Sequence, residues 1–246
     1  MIKISRALAA LGLVCAVGAA NAALVGRDIN GIAVAGNAAS SVFLYDTVLN
    51  VTWLRDANAN GLMNWSQANT WAANLTVGSY GGWRLPTMID TGAAGCDFAF
   101  SGTDCGYNVQ TKSGNLTQYE VGQTVYSEMA TLFYSTLGNN AYWNTAGAGP
   151  QTGWGLTNIG DFLNLQSAAY WSGLDYALST NVSWLFDTYG GGQGNGGKAD
   201  SLSALAVRPG DVLAPSAVPI PAAAWLMLSG IGVLGAAARR KANRAR

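Results

Sequence analysis

From Ala217 to Ala238 the chain carries no charged side chain over 22 residues, and Arg239, Arg240, Lys241, Arg244 and Arg246 follow at once. An uncharged run of about 20 residues is long enough to cross the hydrocarbon core of a bilayer as a helix. A basic block directly after such a run is retained on the cytoplasmic side, which places everything before it outside. The remainder of the chain is therefore expected to fold beyond the cytoplasm. A permanent single-pass anchor and a helix later removed by processing both fit this pattern.

The other end carries an export address. Lys3 and Arg6 precede an apolar core from Ala7 to Ala20, and Ala20-Asn21-Ala22 has the small-x-small form of a cleavage site. Residues 1–22 read as a signal peptide, and the stretch is short for a retained membrane anchor.

Between the ends lie Ala23–Ser216, 194 residues, which suits one domain with a full core. The overall net charge of zero conceals an asymmetry, because seven of the 13 basic residues sit in the terminal segments and all 13 acidic ones lie between. The exported part carries −7, which argues against nucleic acid or anionic lipid as a partner.

No histidine occurs anywhere, which removes Ser-His-Asp and Cys-His catalysis and the usual zinc sites. Paired-carboxylate hydrolysis needs no histidine, and Asp161, Asp175 and Asp187 are scattered candidates for it. Only Cys96 and Cys105 remain after removal of the signal peptide. In an oxidising compartment they are expected to form a disulfide closing a small loop; neither has a basic neighbour that would make it a reactive thiol.

Residues 23–41 are Ala/Gly/Asn-rich and read as a loose N-terminal arm. Val42–Tyr45 and Val51–Leu54 predict a hairpin. A helix is expected over Trp65–Leu75, with Asn64 and Gln67 as a capping box, and a second over Ser127–Leu137, with Ser127 as N-cap and Gly138 as stop. Short strand-like runs follow at Ala169–Trp171, Trp184–Phe186 and Ala204–Val207, and Pro209-Gly210-Asp211 ends the domain. Helices among strands predict an α+β fold over residues 42–211, with 212–216 as linker and 217–246 as the membrane-directed tail.

Four local patterns bear on function. Asp56, Asn58 and Asn60 followed by Gly61 match the first half of an EF-hand calcium loop. Position twelve is Gln67 rather than the usual glutamate, so calcium and a metal-free turn both stand. Gly192 to Lys198 has the spacing of a phosphate loop, yet Ala199 replaces the hydroxyl that would hold Mg²⁺, and a flexible surface loop is expected instead.

Eight of the nine tryptophans lie in the exported part. Trp53, Trp65, Trp171 and Trp184 sit on apolar faces of expected elements and read as core. Trp143 and Trp154, in a Gly/Asn-rich stretch, are candidates for stacking on sugar rings. Trp83-Arg84-Leu85-Pro86 reads as a tight turn in which a buried guanidinium organises its surroundings through stacking and hydrogen bonds.

Val218-Pro219-Ile220-Pro221-Ala222, then the apolar run, then the arginines, resembles the PEP-CTERM class of bacterial sorting signals in its VPLPA-type variant. That resemblance implies export, transient anchoring in the inner membrane, cleavage near the proline motif by an exosortase-type enzyme, and a setting of exopolysaccharide production. Ile220 stands where the commonest form has glutamate.

Further upstream, an ordered set resembles the Lcl C-terminal domain family, named after the domain that ends a bacterial collagen-like adhesin. It comprises Asp46-Thr47, Trp53-Leu54, Met63-x-Trp65-x-x-Ala68, Gly82-Trp83-Arg84-Leu85-Pro86-Thr87, Tyr170-Trp171-Ser172 and Ala206-Val207-Arg208-x-Gly210. The Arg-Leu-Pro-Thr run is also similar to one in formylglycine-generating-type domains, which implies a C-type-lectin-like architecture. The paired cysteines of those oxidising enzymes are missing, so their chemistry is not implied.

The family resemblance implies a non-enzymatic surface protein that binds sulfated polysaccharide. The acidic charge instead favours a neutral or cationic glycan, or an acidic one bridged by calcium. The rival expectations are a carboxylate-dependent glycan-degrading enzyme and a purely structural envelope protein.

Overall fold

The computed structural model describes residues 24–90, 96, 98–101, 104–109 and 127–213. The signal peptide, the linker beyond Leu213, the Val218–Ala222 motif and the apolar run all lie outside the described residues. Among the described residues no helix is long and apolar enough to cross a membrane.

Two antiparallel sheets organise the chain. One has five strands, β1 (Leu24–Arg27), β2 (Ala33–Val34), β3 (Phe43–Asp46), β4 (Val51–Leu54) and β9 (Val207–Pro209), in the order β2-β1-β3-β4-β9. The other has four, β5 (Gly106–Tyr107), β6 (Ala169–Asp175), β7 (Val182–Asp187) and β8 (Gly192–Gly197), in the order β5-β8-β7-β6. Helix α1 spans Trp65–Asn74, and α2 (Glu128–Ala130) continues as a π-helical stretch, Thr131–Thr136. The fold is α+β but dominated by its sheets.

Sheet one has apolar cover on both faces, so its strands lack clean alternation. Leu44, Val51, Trp53 and Val207 point into the main core with Met129, Phe133, Tyr170 and Phe186. Phe43 and Leu54 face the other way, onto Trp83, Ala206 and Val212. Trp53 and Trp171 are wholly buried, and burial of one such ring stabilises the fold by about 3 kcal/mol.

Both expected helices form. In α1 the Asn64 side chain accepts from Gln67 N at 2.9 Å and Gln67 Oε1 accepts from Asn64 N at 3.1 Å, which completes the capping box. Ser127 caps α2 by accepting from Ala130 N at 3.1 Å, and Gly138 ends the helix with a φ of 69°. The difference lies in between: Leu137 N donates to Leu132 O, five residues back, at 2.9 Å. This wider turn still buries Met129, Leu132, Phe133 and Leu137, the face expected to be apolar.

Three expectations are corrected. Residues 23–41 are not a loose arm, because β1 lies beside β3 and Arg27 forms an ion pair with Asp211 at 2.7 Å, 184 residues away. The glycine run is not a flexible loop; it is β8, paired with β7 over six residues. The last strand starts at Val207, so Ala204–Ala206 is buried chain outside any strand, held in part by Leu54 N donating to Ala206 O at 2.9 Å.

Candidate functional site

The richest grouping of exposed chemistry is aromatic. Tyr142 stands edge-on to both tryptophans singled out in the sequence, 4.9 Å from Trp143 and 4.7 Å from Trp154 between ring centroids. Trp154 in turn meets Tyr189 at 5.3 Å. Tyr189 is 59% exposed, while Tyr142, Trp143 and Trp154 are half-buried. Edge-to-face contacts of this kind hold rings at fixed angles to one another.

The elements beneath explain the position. Tyr189 sits in the turn between β7 and β8, where the Asp187 carboxylate accepts from Tyr189 N at 2.9 Å and Gly190 N at 3.3 Å. Gly190 O accepts from Tyr142 N at 2.8 Å, which fastens residues 140–155 to that turn. Gly149 sits against the Trp143 ring, so closely that an added Cβ would lie 2.8 Å from it.

The amides of this stretch are consumed inside it. Gln151 Nε2 donates to Ala141 O and Trp143 O, at 2.8 and 3.1 Å. Asn144 Oδ1 accepts from Ala146 N and Ala148 N, and Asn139 Oδ1 accepts from Thr157 N and Asn158 N. The Asn-rich composition therefore builds the loop, and the aromatic rings are what the loop presents.

Most of the described basic side chains are paired within the domain. Arg27 binds Asp211, and Arg55 donates to the carbonyls of Ala38, Ser41 and Asp161 at 2.7 to 3.0 Å. Lys198 meets Asp175 at 2.5 Å over the Trp65 ring, and Arg208 lies over Tyr80 at 5.4 Å. Arg84 grips Glu128 with both prongs at 2.7 Å. Four of the five described basic side chains thus have hydrogen-bonding partners within the domain, while Arg208 lies over the Tyr80 ring with Nε and Nη1 unpaired among the described residues.

The Arg84 guanidinium, expected to be buried and stacked, is about one-third exposed and is held by hydrogen bonds to Glu128. Trp83 is buried, its Nε1 donating to Tyr80 O at 2.9 Å, and Leu85 and Pro86 are buried beside it. Arg84 N and Val207 N exchange hydrogen bonds with each other's carbonyls at 2.9 Å. Burial alone would lower the Arg84 pKa, but the Glu128 carboxylate holds it above the ordinary value.

The EF-hand-like run folds as a turn in which Asp56 and Asn60 have local partners and Asn58 Oδ1 is buried without one among the described residues. Asp56 Oδ1 accepts from Asn58 N at 3.1 Å and from Asn164 Nδ2 at 3.0 Å, and Asn60 Nδ2 lies 3.0 Å from Met63 Sδ. Gln67, the twelfth position, is the α1 cap. Among the described residues no group of three His, Cys, Asp or Glu side chains converges as metal ligands. Just beyond this turn, α1 and Leu62 border an open cleft of about 530 Å³, lined by uncharged residues including Asn60, Ser66, Thr70 and Trp71.

Asp175 and Asp187 do not form an acid pair. Asp175 stands opposite Ser183 and Asp187 opposite Ala169, four residues apart along β7. At about 3.3 Å per residue that is roughly 13 Å, beyond the separations used for glycoside hydrolysis. Cys96 and Cys105 are disulfide-bonded, with Cα atoms 5.4 Å apart.

Tyr142, Tyr189, Phe98 and Phe100 were not singled out by sequence. The signal for Tyr142 was its adjacency to Trp143; for Tyr189, its place at the head of a glycine run between two strands. No family model matches the chain, and a search of curated proteins finds no match.

Proposed function

We propose that this chain is an exported cell-surface or extracellular-matrix protein whose domain binds, and so helps to organise, a neutral exopolysaccharide. The observation that carries this reading is the aromatic array of Trp143, Tyr142, Trp154 and Tyr189 on an exported part that is acidic overall. Pyranose rings present C–H faces that sit well on the electron-rich faces of such rings, and no ion pair is needed. The −7 charge of the exported part opposes a sulfated ligand.

The tail belongs to the same reading: residues 217–238 hold the protein in the inner membrane until an exosortase-type enzyme acts at Val218–Ala222. The resemblance to Lcl C-terminal domains and to the C-type-lectin-like architecture is part of the proposal, supported by Trp83–Pro86 at the meeting of β9 and α2. The distance between Asp175 and Asp187 favours binding over hydrolysis for that pair.

Affinity electrophoresis tests it. The full chain, in detergent, should be retarded in gels containing the uncharged exopolysaccharide fraction of the producing cells, taken as the flow-through of an anion exchanger. Trp154→Ala should abolish the retardation. Unretarded migration of the unaltered protein overturns the proposal.

A further inference from the structure

We infer that Phe98 and Phe100, between Cys96 and Cys105, supply another part of this binding surface, with Phe98 as a residue that touches the glycan; the inference rests on the function just proposed. Phe98 has a φ of 51°, the left-handed region in which a bulky side chain is strained. The residue is 55% exposed, so more than half of its surface stays in solvent and is open to a partner. Glycine would hold the same backbone without the strain. A residue that is locally unfavourable and mostly outside the core points to work done at the surface.

The loop is joined to the aromatic array. Asn108 Nδ2 donates to Phe100 O and to Trp143 O, both at 2.8 Å, and Tyr107 N donates to Ala99 O at 2.8 Å. The Phe100 ring is 41% exposed, 5.6 Å from Trp143 and 6.5 Å from Tyr107. Strand β8 provides a flat seat. A Cβ built on Gly192 would lie 3.4 Å from the Tyr107 ring, and one on Gly194 would lie 3.1 Å from the Phe98 ring. Residues two apart share a face of a strand, so these rings stand in one row. The row runs from Phe98 through Tyr107 and Phe100 to Trp143, and continues into Tyr142, Trp154 and Tyr189.

This arrangement assigns a role to Gly194 of β8: bare backbone on which the Phe98 ring lies, where a Cβ at 3.1 Å would press against it. A long ring row suits a polymer better than a single sugar, because successive residues of one chain can stack in turn.

The test uses full-length Phe98→Gly and Phe98→Trp beside Trp154→Ala, in the same electrophoresis against the uncharged exopolysaccharide fraction. Phe98→Gly should bind about five-fold more weakly, the loss of roughly one aromatic contact, with a melting temperature equal to or above that of the unaltered protein. Phe98→Trp should retain binding. Unchanged affinity in Phe98→Gly, with Trp154→Ala weakened, overturns this inference and leaves the proposed function standing. A lower melting temperature in Phe98→Gly also overturns it, since the ring would then be structural. Absence of binding by the unaltered protein overturns both.

Discussion

Arg84 and Glu128 meet in a two-pronged ion pair, each prong 2.7 Å, across 44 residues of sequence. Glu128 Oε2 also accepts from Thr87 N at 2.8 Å, and Glu128 N donates to Thr87 O at 3.0 Å. The pair ties the Trp83–Pro86 turn to the start of α2. Glu128 is almost fully buried, whereas the Arg84 side chain keeps about a third of its surface in water.

Removing the arginine leaves a buried carboxylate without its counter-charge. Arg84→Ala should lower unfolding free energy by about 3 kcal/mol, near the bottom of the range for a buried pair because Arg84 is partly solvated. Arg84→Lys should lose about 1 kcal/mol, since an ammonium cannot reproduce the fork. Urea denaturation of both, with Glu128→Gln and the double variant, measures the coupling. A double variant losing the sum of the single losses would refute the pairing.

Asp46 titrates in the interior. Burial raises its pKa, outweighing the hydrogen bonds from Leu49 N, Thr136 Oγ1, Val48 N and Trp53 Nε1 that favour its charge. A carboxyl with a raised folded pKa contributes stability that is present below its unfolded pKa, near 4, and is lost as pH rises through the folded value. The melting-temperature difference between the unaltered protein and Asp46→Asn should therefore shrink as pH climbs from about 4 to 7. A difference that grows over that range would contradict the burial argument.

Binding by the aromatic array should be indifferent to salt. Stacking of a neutral glycan on Trp154 and Tyr189 involves no charge to screen, so affinity should change by less than about two-fold between 0.05 and 0.5 M NaCl. A polyanion held by basic residues would weaken steeply over the same interval. Tyr189→Ala should reduce affinity about five-fold at little cost in stability, because its ring is 59% exposed.

Gly149 offers an independent check on ring placement. A Cβ there would lie 2.7 Å from Tyr142 O and 2.8 Å from the Trp143 ring. Gly149→Val should therefore weaken glycan binding while leaving the main core around Trp53 and Phe133 unaltered, read as retained tryptophan circular dichroism. Undiminished binding would place Trp143 outside the contact surface.

Chelation should have no effect on the Asp56–Gly61 turn. Asp56 Oδ1 is engaged by Asn58 N and Asn164, and Gln67 by the α1 cap, so EDTA should leave the melting temperature unchanged. A rise of several degrees on adding calcium would restore the metal reading.

Capping and periodicity are local properties, and they were legible: Asn64 with Gln67 starts α1, Ser127 starts α2, and Phe43–Asp46 with Val51–Leu54 form a hairpin. Burial of Trp53, Trp171 and Trp184 was legible too, because apolar area must leave water whatever the topology, whereas Trp65, also read as core, is only partly buried. Strand β1 was not, since its stability depends on β3 and on Asp211, far along the chain. Strand β8 was hidden because glycines carry no pattern, and its reason for being a strand lies in β7 and in the rings above it. By itself the sequence determined the apolar tail, the acidic balance, the absence of histidine and the helix starts. Only the tertiary structure decided that Tyr142 meets Trp143 and Trp154, that Trp154 meets Tyr189 and that Phe98 lies on Gly194, because side chains that distant in sequence are brought together by the strands and turns that carry them.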